Sequence, residues 1–112
     1  LAAALNASGS APMYACRAWV NFNGMGAVAI RAGGNVSSVT DLGAGQYRIN
    51  FANPMPDANY AASGGTDATS SVYANDMRFT NYTTTSVEVR ISVAESASPS
   101  EDSPIVSVVI HR

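Results

Sequence analysis

Apolar and polar residues alternate along most of the chain, with the period of a β-strand that buries one face. The clearest example is QYRINF at 46–51, where Tyr47, Ile49 and Phe51 share one face and polar residues share the other. TSVEVRISV at 85–93 repeats the pattern with Val or Ile at every second position. Both segments therefore predict strands whose apolar faces point into a common core.

The same period runs through MYACRAWVNFN at 13–23 and predicts a strand with Cys16, Val20 and Phe22 on its core side. Trp19 falls on the opposite face, where we expect it to meet another subunit or another sheet. The closing segment IVSVVIHR at 105–112 is apolar on both faces. A strand of that kind needs cover on both sides.

Turn residues separate these segments at intervals of roughly 8 to 12 residues. Gly33-Gly34 is typical of a two-residue hairpin turn, and the prolines of NPMPDA at 53–58 interrupt the strand pattern. A short strand at 59–62, a polar loop at 63–71 and a strand at 72–79 follow. The pattern predicts an all-β fold, an antiparallel β-sandwich of about eight strands.

The length of 112 residues fits one domain, which we assign to 13–112, with 1–12 expected as a connector to something upstream. Charged residues make up only 12% of the chain, against roughly 25% in an average soluble protein. The net charge of −2 disfavours nucleic acid as a partner, because neutralising phosphates requires a basic stripe. No apolar run reaches the roughly 18 to 20 residues of a spanning helix, so we expect no membrane insertion.

Candidate catalytic and metal-binding residues are few. The only histidine is His111 and the only cysteine is Cys16, and no nucleophile motif accompanies either of them. The acidic residues are scattered over turns without a metal-ligand spacing. We therefore predict no enzyme activity, no metal and no cofactor. The alternative is a polysaccharide-cleaving enzyme, because a pair of carboxylates that meets only in space leaves no local motif.

Four segments together resemble a module found at the C-terminus of bacteriophage tail fibre proteins. They are APMYACRAWVNFNGMG at 11–26, VAIRAGGNVSSVTD at 28–41, GQYRINFANPMPDANYA at 45–61 and SPIVSVVIHR at 103–112. The resemblance covers nearly the whole chain. It implies a virion protein at the distal end of a fibre, assembled as a homotrimer, whose partner is a bacterial cell-surface receptor.

Receptor-binding residues are expected beside the glycine-rich middle loop at 63–76, where polar and aromatic side chains cluster. The candidates are Tyr60, Asp67, Tyr73 and Asn75. For Tyr60 and Tyr73, which flank the loop, partial exposure and packing in the core both stay open. The receptor class, glycan or outer-membrane protein, stays open. The alternative to receptor binding is a structural domain that trimerises or caps the fibre without binding a ligand.

Overall fold

The computed structural model describes residues 15–67, 75–93 and 102–112. These residues form eight β-strands and no helix, which confirms the prediction of an all-β chain with about eight strands. The strands are β1 (Cys16–Asn23), β2 (Ala29–Gly34), β3 (Val36–Gly43), β4 (Gln46–Phe51), β5 (Ala61–Thr66), β6 (Asn75–Thr80), β7 (Ser86–Val93) and β8 (Val106–His111).

Two antiparallel sheets of four strands each pack face to face as a sandwich. The first sheet has the order β2-β1-β8-β5 and the second has the order β3-β4-β7-β6. The inward-facing residues of both sheets form one core, in which Phe22 and Tyr47 pack edge to face with ring centroids 5.1 Å apart. The alternation predicted for QYRINF is confirmed, since Tyr47 and Ile49 are fully buried and Phe51 is 7% exposed.

The core-side position predicted for Cys16 is wrong. The pairing of β1 with β8 contains a bulge between Cys16 and Ala18, so one extra residue interrupts the alternation. A shift by one residue moves every side chain before the bulge to the opposite face. Cys16 is therefore exposed, while Ala18 and Val20 are buried as expected.

The hairpin turn predicted at Gly33-Gly34 is also wrong. Both glycines lie inside β2, where they pair with Val20 and Trp19, and the chain then crosses to the second sheet through Asn35. Asn35 has φ of 55°, a conformation that asparagine adopts more readily than most residues. A Cβ at Gly34 would lie 2.9 Å from Cδ1 of Trp19, so the packing of the indole explains this glycine.

The polar loop predicted from residue 63 begins four residues later than expected, because β5 continues through Ser63–Thr66. These residues pair with β8 along its full length, from Ala61 opposite His111 to Thr66 opposite Val106. Glycine carries no side chain, so a strand through Gly64-Gly65 shows no alternation in the sequence. The backbone ladder forms there all the same.

Successive strands run in opposite directions, so the connections alternate between two ends of the sandwich. At one end, here named the loop end, lie the strand ends from which the β1–β2, β3–β4, β5–β6 and β7–β8 connections leave and to which they return. The other end carries the β2–β3, β4–β5 and β6–β7 connections together with Ala15 and Arg112. We call it the terminal end.

Candidate functional site

A single carboxylate fastens the loop end. Oδ1 of Asp102 accepts hydrogen bonds from the backbone N–H of Gly45 at 2.8 Å and from the hydroxyl of Tyr47 at 2.7 Å. The same hydroxyl lies 2.9 Å from the carbonyl oxygen of Gly24, whose N–H donates to the carbonyl of Ser103. Burial and then the bond to Asp102 raise the pKa of Tyr47 well above its ordinary value of 10.0. Three connections thus share one fixed anchor.

Asp67, a predicted receptor contact, lies at this anchored end with its side chain exposed. Its backbone N–H donates to the carbonyl of Ile105 at 3.1 Å, and its carbonyl accepts from the hydroxyl of Ser103, also at 3.1 Å. Ser103 is only 2% exposed, so the backbone of Asp67 is held by a buried group. Met25, in the β1–β2 connection, is 50% exposed at the same end. The sequence reasoning did not single it out.

The other predicted contacts have different outcomes. Asn75 is the first residue of β6 and pairs with Val93, so its backbone lies at the loop end, as Asp67 does. Tyr73 lies outside the described residues. The structure therefore brings the backbones of Asp67 and Asn75 to one end, on either side of the β5–β6 connection.

Of the two settings left open for Tyr60, the structure shows the core, because the residue is only 6% exposed. Its ring packs edge to face on Phe51, with centroids 5.7 Å apart, and its hydroxyl donates to the carbonyl of Thr83 at 2.9 Å. The six residues of β5, about 20 Å long, separate Tyr60 from Asp67. Tyr60 therefore does not join the other candidates in one site.

The outward side of the first sheet, here named the Trp19 face, carries two cross-strand rows without an ionisable side chain. The first row is Gly34, Trp19, Val109 and Ser63, and the second is Ala32, Asn21, Ser107 and Gly65. Trp19 is 43% exposed and lies across Gly34. These two rows are thus uncharged and contain one large aromatic side chain, and Arg31 lies beside them, where its Nη1 donates to Oδ1 of Asn21 at 3.4 Å.

The outward side of the second sheet is different, because arginines and acids dominate it. Nη2 of Arg48 lies 3.2 Å from Oε2 of Glu88, and the side-chain amide of Asn81 donates to Oε1 of Glu88 at 3.0 Å. The bond from Asn81, followed by the contacts with Arg48, lowers the pKa of Glu88. Glu88 therefore stays ionised at pH values at which an ordinary glutamate is already partly protonated.

A hollow of about 360 Å³ lies beside these groups, near the β6–β7 turn. Sequence reasoning missed this hollow, because its residues come from two strands and the register alone brings them together. The sequence signal that could have indicated the hollow is the polar residue at every second position of 75–80 and 86–92, which predicts a polar outward face on both strands. The lining residues are Arg78, Phe79, Thr80, Asn81, Glu88 and Arg90.

Cys16 and His111 are cross-strand partners on the exposed side of β1 and β8. The thiol of Cys16 donates to the carbonyl of Ala18 at 3.1 Å. Within residues 15–67, 75–93 and 102–112, no group of three or more His, Cys, Asp or Glu side chains could hold a metal ion. In the same ranges no helix is long and apolar enough to cross a membrane.

Comparison with known proteins gives no match, whether to protein-family models, to curated proteins or to solved structures. The functional proposal therefore depends on the four sequence segments described above and on the geometry of the two ends and two faces.

Proposed function

We propose that this chain is the receptor-binding tip domain of a bacteriophage tail fibre and acts in the virion. Its ligand is a glycan or an outer-membrane protein on the bacterial surface. The sandwich supplies a rigid scaffold, and its connections present the variable side chains, which is the usual division of work in binding domains. We further propose that it acts by binding alone, without catalysis or a cofactor.

The separation of the two ends carries this proposal. The described chain enters the sandwich at the terminal end, where Ala15 precedes β1, while the strand ends that border four of the connections lie at the loop end. The loop end therefore lies opposite the end at which the described chain enters the sandwich. Asp67 and Met25 are exposed there. Asn75 begins β6, and Tyr73 lies between Asp67 and Asn75 in the sequence.

The Trp19 face supports the proposal that the partner in the fibre is the chain itself, as a homotrimer. Aromatic residues are enriched and charged residues depleted in the centres of protein interfaces. Two uncharged rows around a 43% exposed tryptophan have that composition. Three copies would present three equal loop ends to one cell, so that weak contacts multiply.

Binding to cells tests the proposal. The chain should bind susceptible bacteria and fail to bind resistant mutants that lack the receptor. Asp67→Ala and Met25→Ser, at the loop end, should weaken binding, whereas Asn59→Ala, at an exposed position of the terminal end, should leave it unchanged. Equal binding to resistant cells would refute the proposal. Release of reducing sugar ends from the cell surface would refute the absence of catalysis.

A structural trimerisation or capping domain is the second candidate, and the two uncharged rows of the Trp19 face favour it equally. Replacement of residues 68–74 by Gly and Ser separates the two, because it leaves β5 and β6 intact. Receptor binding predicts a changed host range with the assembly preserved. An unchanged host range with intact trimers would establish the structural role.

A further inference from the structure

Two arginines face each other across neighbouring strands on the outward side of the second sheet. Arg78 of β6 pairs with Arg90 of β7, and Arg90 pairs in turn with Gln46 of β4. Like charges directly opposite on a sheet are destabilising. This register therefore places two guanidinium groups where the isolated domain gains nothing from their proximity.

The acids on this face do not neutralise both arginines. Nε of Arg78 donates to Oδ2 of Asp76 at 2.7 Å, and Glu88 is bound to Arg48 and Asn81. Arg90 donates through Nη2 to Oε1 of Gln46 at 3.1 Å, which is a neutral acceptor. Among the described residues, no carboxylate lies within ion-pair distance of Arg90. Its guanidinium keeps donors free for a ligand, because a guanidinium has five N–H groups.

The hollow beside Arg90 has the size and lining of a site for one small polar group. Its volume of about 360 Å³ is at the lower end of the range of ligand sites. Arg78 and Arg90 supply positive charge, Thr80 supplies a hydroxyl and Phe79 supplies an apolar wall. Glu88 also lines the hollow, but its carboxylate is engaged by Arg48 and by the side-chain amide of Asn81. Such a lining suits an anionic group attached to a sugar, whose ring has both apolar and hydroxyl-bearing faces.

We propose that this hollow binds an anionic group, a carboxylate or a phosphate, of a bacterial surface polysaccharide, with Arg90 and Arg78 as its ligands. The planar fork of arginine matches the two oxygens of either anion. The bound anion would also relieve the repulsion between the two guanidinium groups. The inference rests on the proposed receptor-binding function and extends it to a lateral site, on the face away from the Trp19 face.

Titration of the full chain with defined probes tests the inference. The probes are trigalacturonate, inorganic phosphate and neutral maltotriose. Binding of each probe is followed by the amide chemical shifts of the protein in NMR spectra, at low salt and at 0.3 M salt. We expect trigalacturonate, phosphate or both to shift the amides of residues 78–81 and 88–90, with weaker binding at high salt. Neutral maltotriose should not shift these amides. The two anionic arms then decide between carboxylate and phosphate as the natural group.

Substitutions at Arg90, with a control substitution at Arg31, test whether Arg90 binds the anion. Arg90→Gln should weaken anion binding by about tenfold or more, because it removes charge-assisted hydrogen bonds. Arg90→Lys, which keeps the charge and loses the fork, should lie between Arg90→Gln and the wild type. Arg31→Gln removes an exposed arginine on the first sheet and should have no effect. The exposed position of Arg90 makes loss of folding an improbable cause, and far-ultraviolet circular dichroism checks it.

Three results would overturn the inference. They are the absence of binding by both anions, full retention of binding in Arg90→Gln, and an equal loss in Arg31→Gln. Cell binding separates this site from the proposed function. If Arg90→Gln binds no anion but attaches to susceptible cells as the wild type does, the lateral site is not a receptor site and the tip function stands. If the wild type binds anions but no cells, the tip function fails and the anion site stands.

Discussion

Replacement of Tyr47 by phenylalanine tests the anchor at the loop end. The ring is fully buried and packs against Phe22, and phenylalanine preserves that packing. The change removes only the hydroxyl, which donates to Asp102 at 2.7 Å and lies 2.9 Å from the carbonyl of Gly24. Asp102 keeps the N–H of Gly45, while the carbonyl of Gly24 loses its contact.

The size of the effect follows from the acceptor. A hydrogen bond to a charged group contributes about 1.5 to 3 kcal/mol, so Tyr47→Phe should lower the free energy of unfolding by about 2 kcal/mol. Tyr60→Phe is a matched control, because the hydroxyl of Tyr60 donates only to neutral carbonyl oxygens. Its loss should cost about 1 kcal/mol.

Urea unfolding measures both variants at one fixed protein concentration, because the midpoint of a self-associating chain would depend on concentration. Tyr47→Phe should lower the midpoint by about 1 M without changing the slope. Tyr60→Phe should lower it by about half as much. A Tyr47→Phe midpoint equal to that of the wild type, or above that of Tyr60→Phe, would refute the role of Asp102 as an anchor.

The pH dependence of the free energy of unfolding at alkaline pH tests the same anchor a second time. The native pKa of Tyr47 is raised, so above pH 10 the unfolded chain releases a proton that the native chain retains. Stability is therefore fully present below pH 10 and falls as the pH rises, by at most about 1.4 kcal/mol per pH unit for one tyrosine. Unfolding by urea at pH 9 to 11 should show a shallower decline in Tyr47→Phe than in the wild type.

Two further predictions concern other parts of the sandwich. The Arg112 guanidinium and then the N–H of Asn59 lower the pKa of Asp57 to about 2, so stability present above pH 3.8 is lost as the pH falls towards 2. The urea midpoint of Asp57→Asn should change less than that of the wild type over this range, and an equal change would contradict the pairing. A Cβ at Gly64 would overlap the carbonyl oxygen of Ser107, whereas one at Gly65 would meet nothing within 4 Å. Calorimetry should show a loss of about 3 kcal/mol for Gly64→Ala and almost none for Gly65→Ala, and equal losses would refute the close approach of β5 to β8.

The alternation of apolar and polar residues predicted those strands that bury one face and carry no bulged residue themselves. QYRINF is such a segment, and its predicted bounds and core residues agree with β4. Cys16 failed because a bulge needs no special residue and leaves no mark in the sequence. Gly33-Gly34 failed because a glycine pair is equally compatible with a turn and with the close packing of an indole.

The candidate sites were likewise predictable only where a local sequence pattern marks them. The middle segment was recognisable from its Gly, Ser and Thr content, and the backbones of Asp67 and Asn75, which border it, both lie at the loop end. Tyr60, next to the same segment, is buried because its side chain turns inwards beside Phe51. The arginine hollow joins residues 12 positions apart in sequence, and only the pairing of β6 with β7 brings Arg78 opposite Arg90.

The mass in solution tests the central claim, that copies of this chain cover the Trp19 face. At micromolar concentration, light scattering should give three times the 11.6 kDa of one chain for the wild type. Trp19→Arg, which places a charge at the centre of the face, should give the mass of one chain. Met25→Ser, at an equally exposed position of the loop end, should keep the threefold mass. A wild-type mass of 11.6 kDa, or an unchanged threefold mass in Trp19→Arg, would contradict the account.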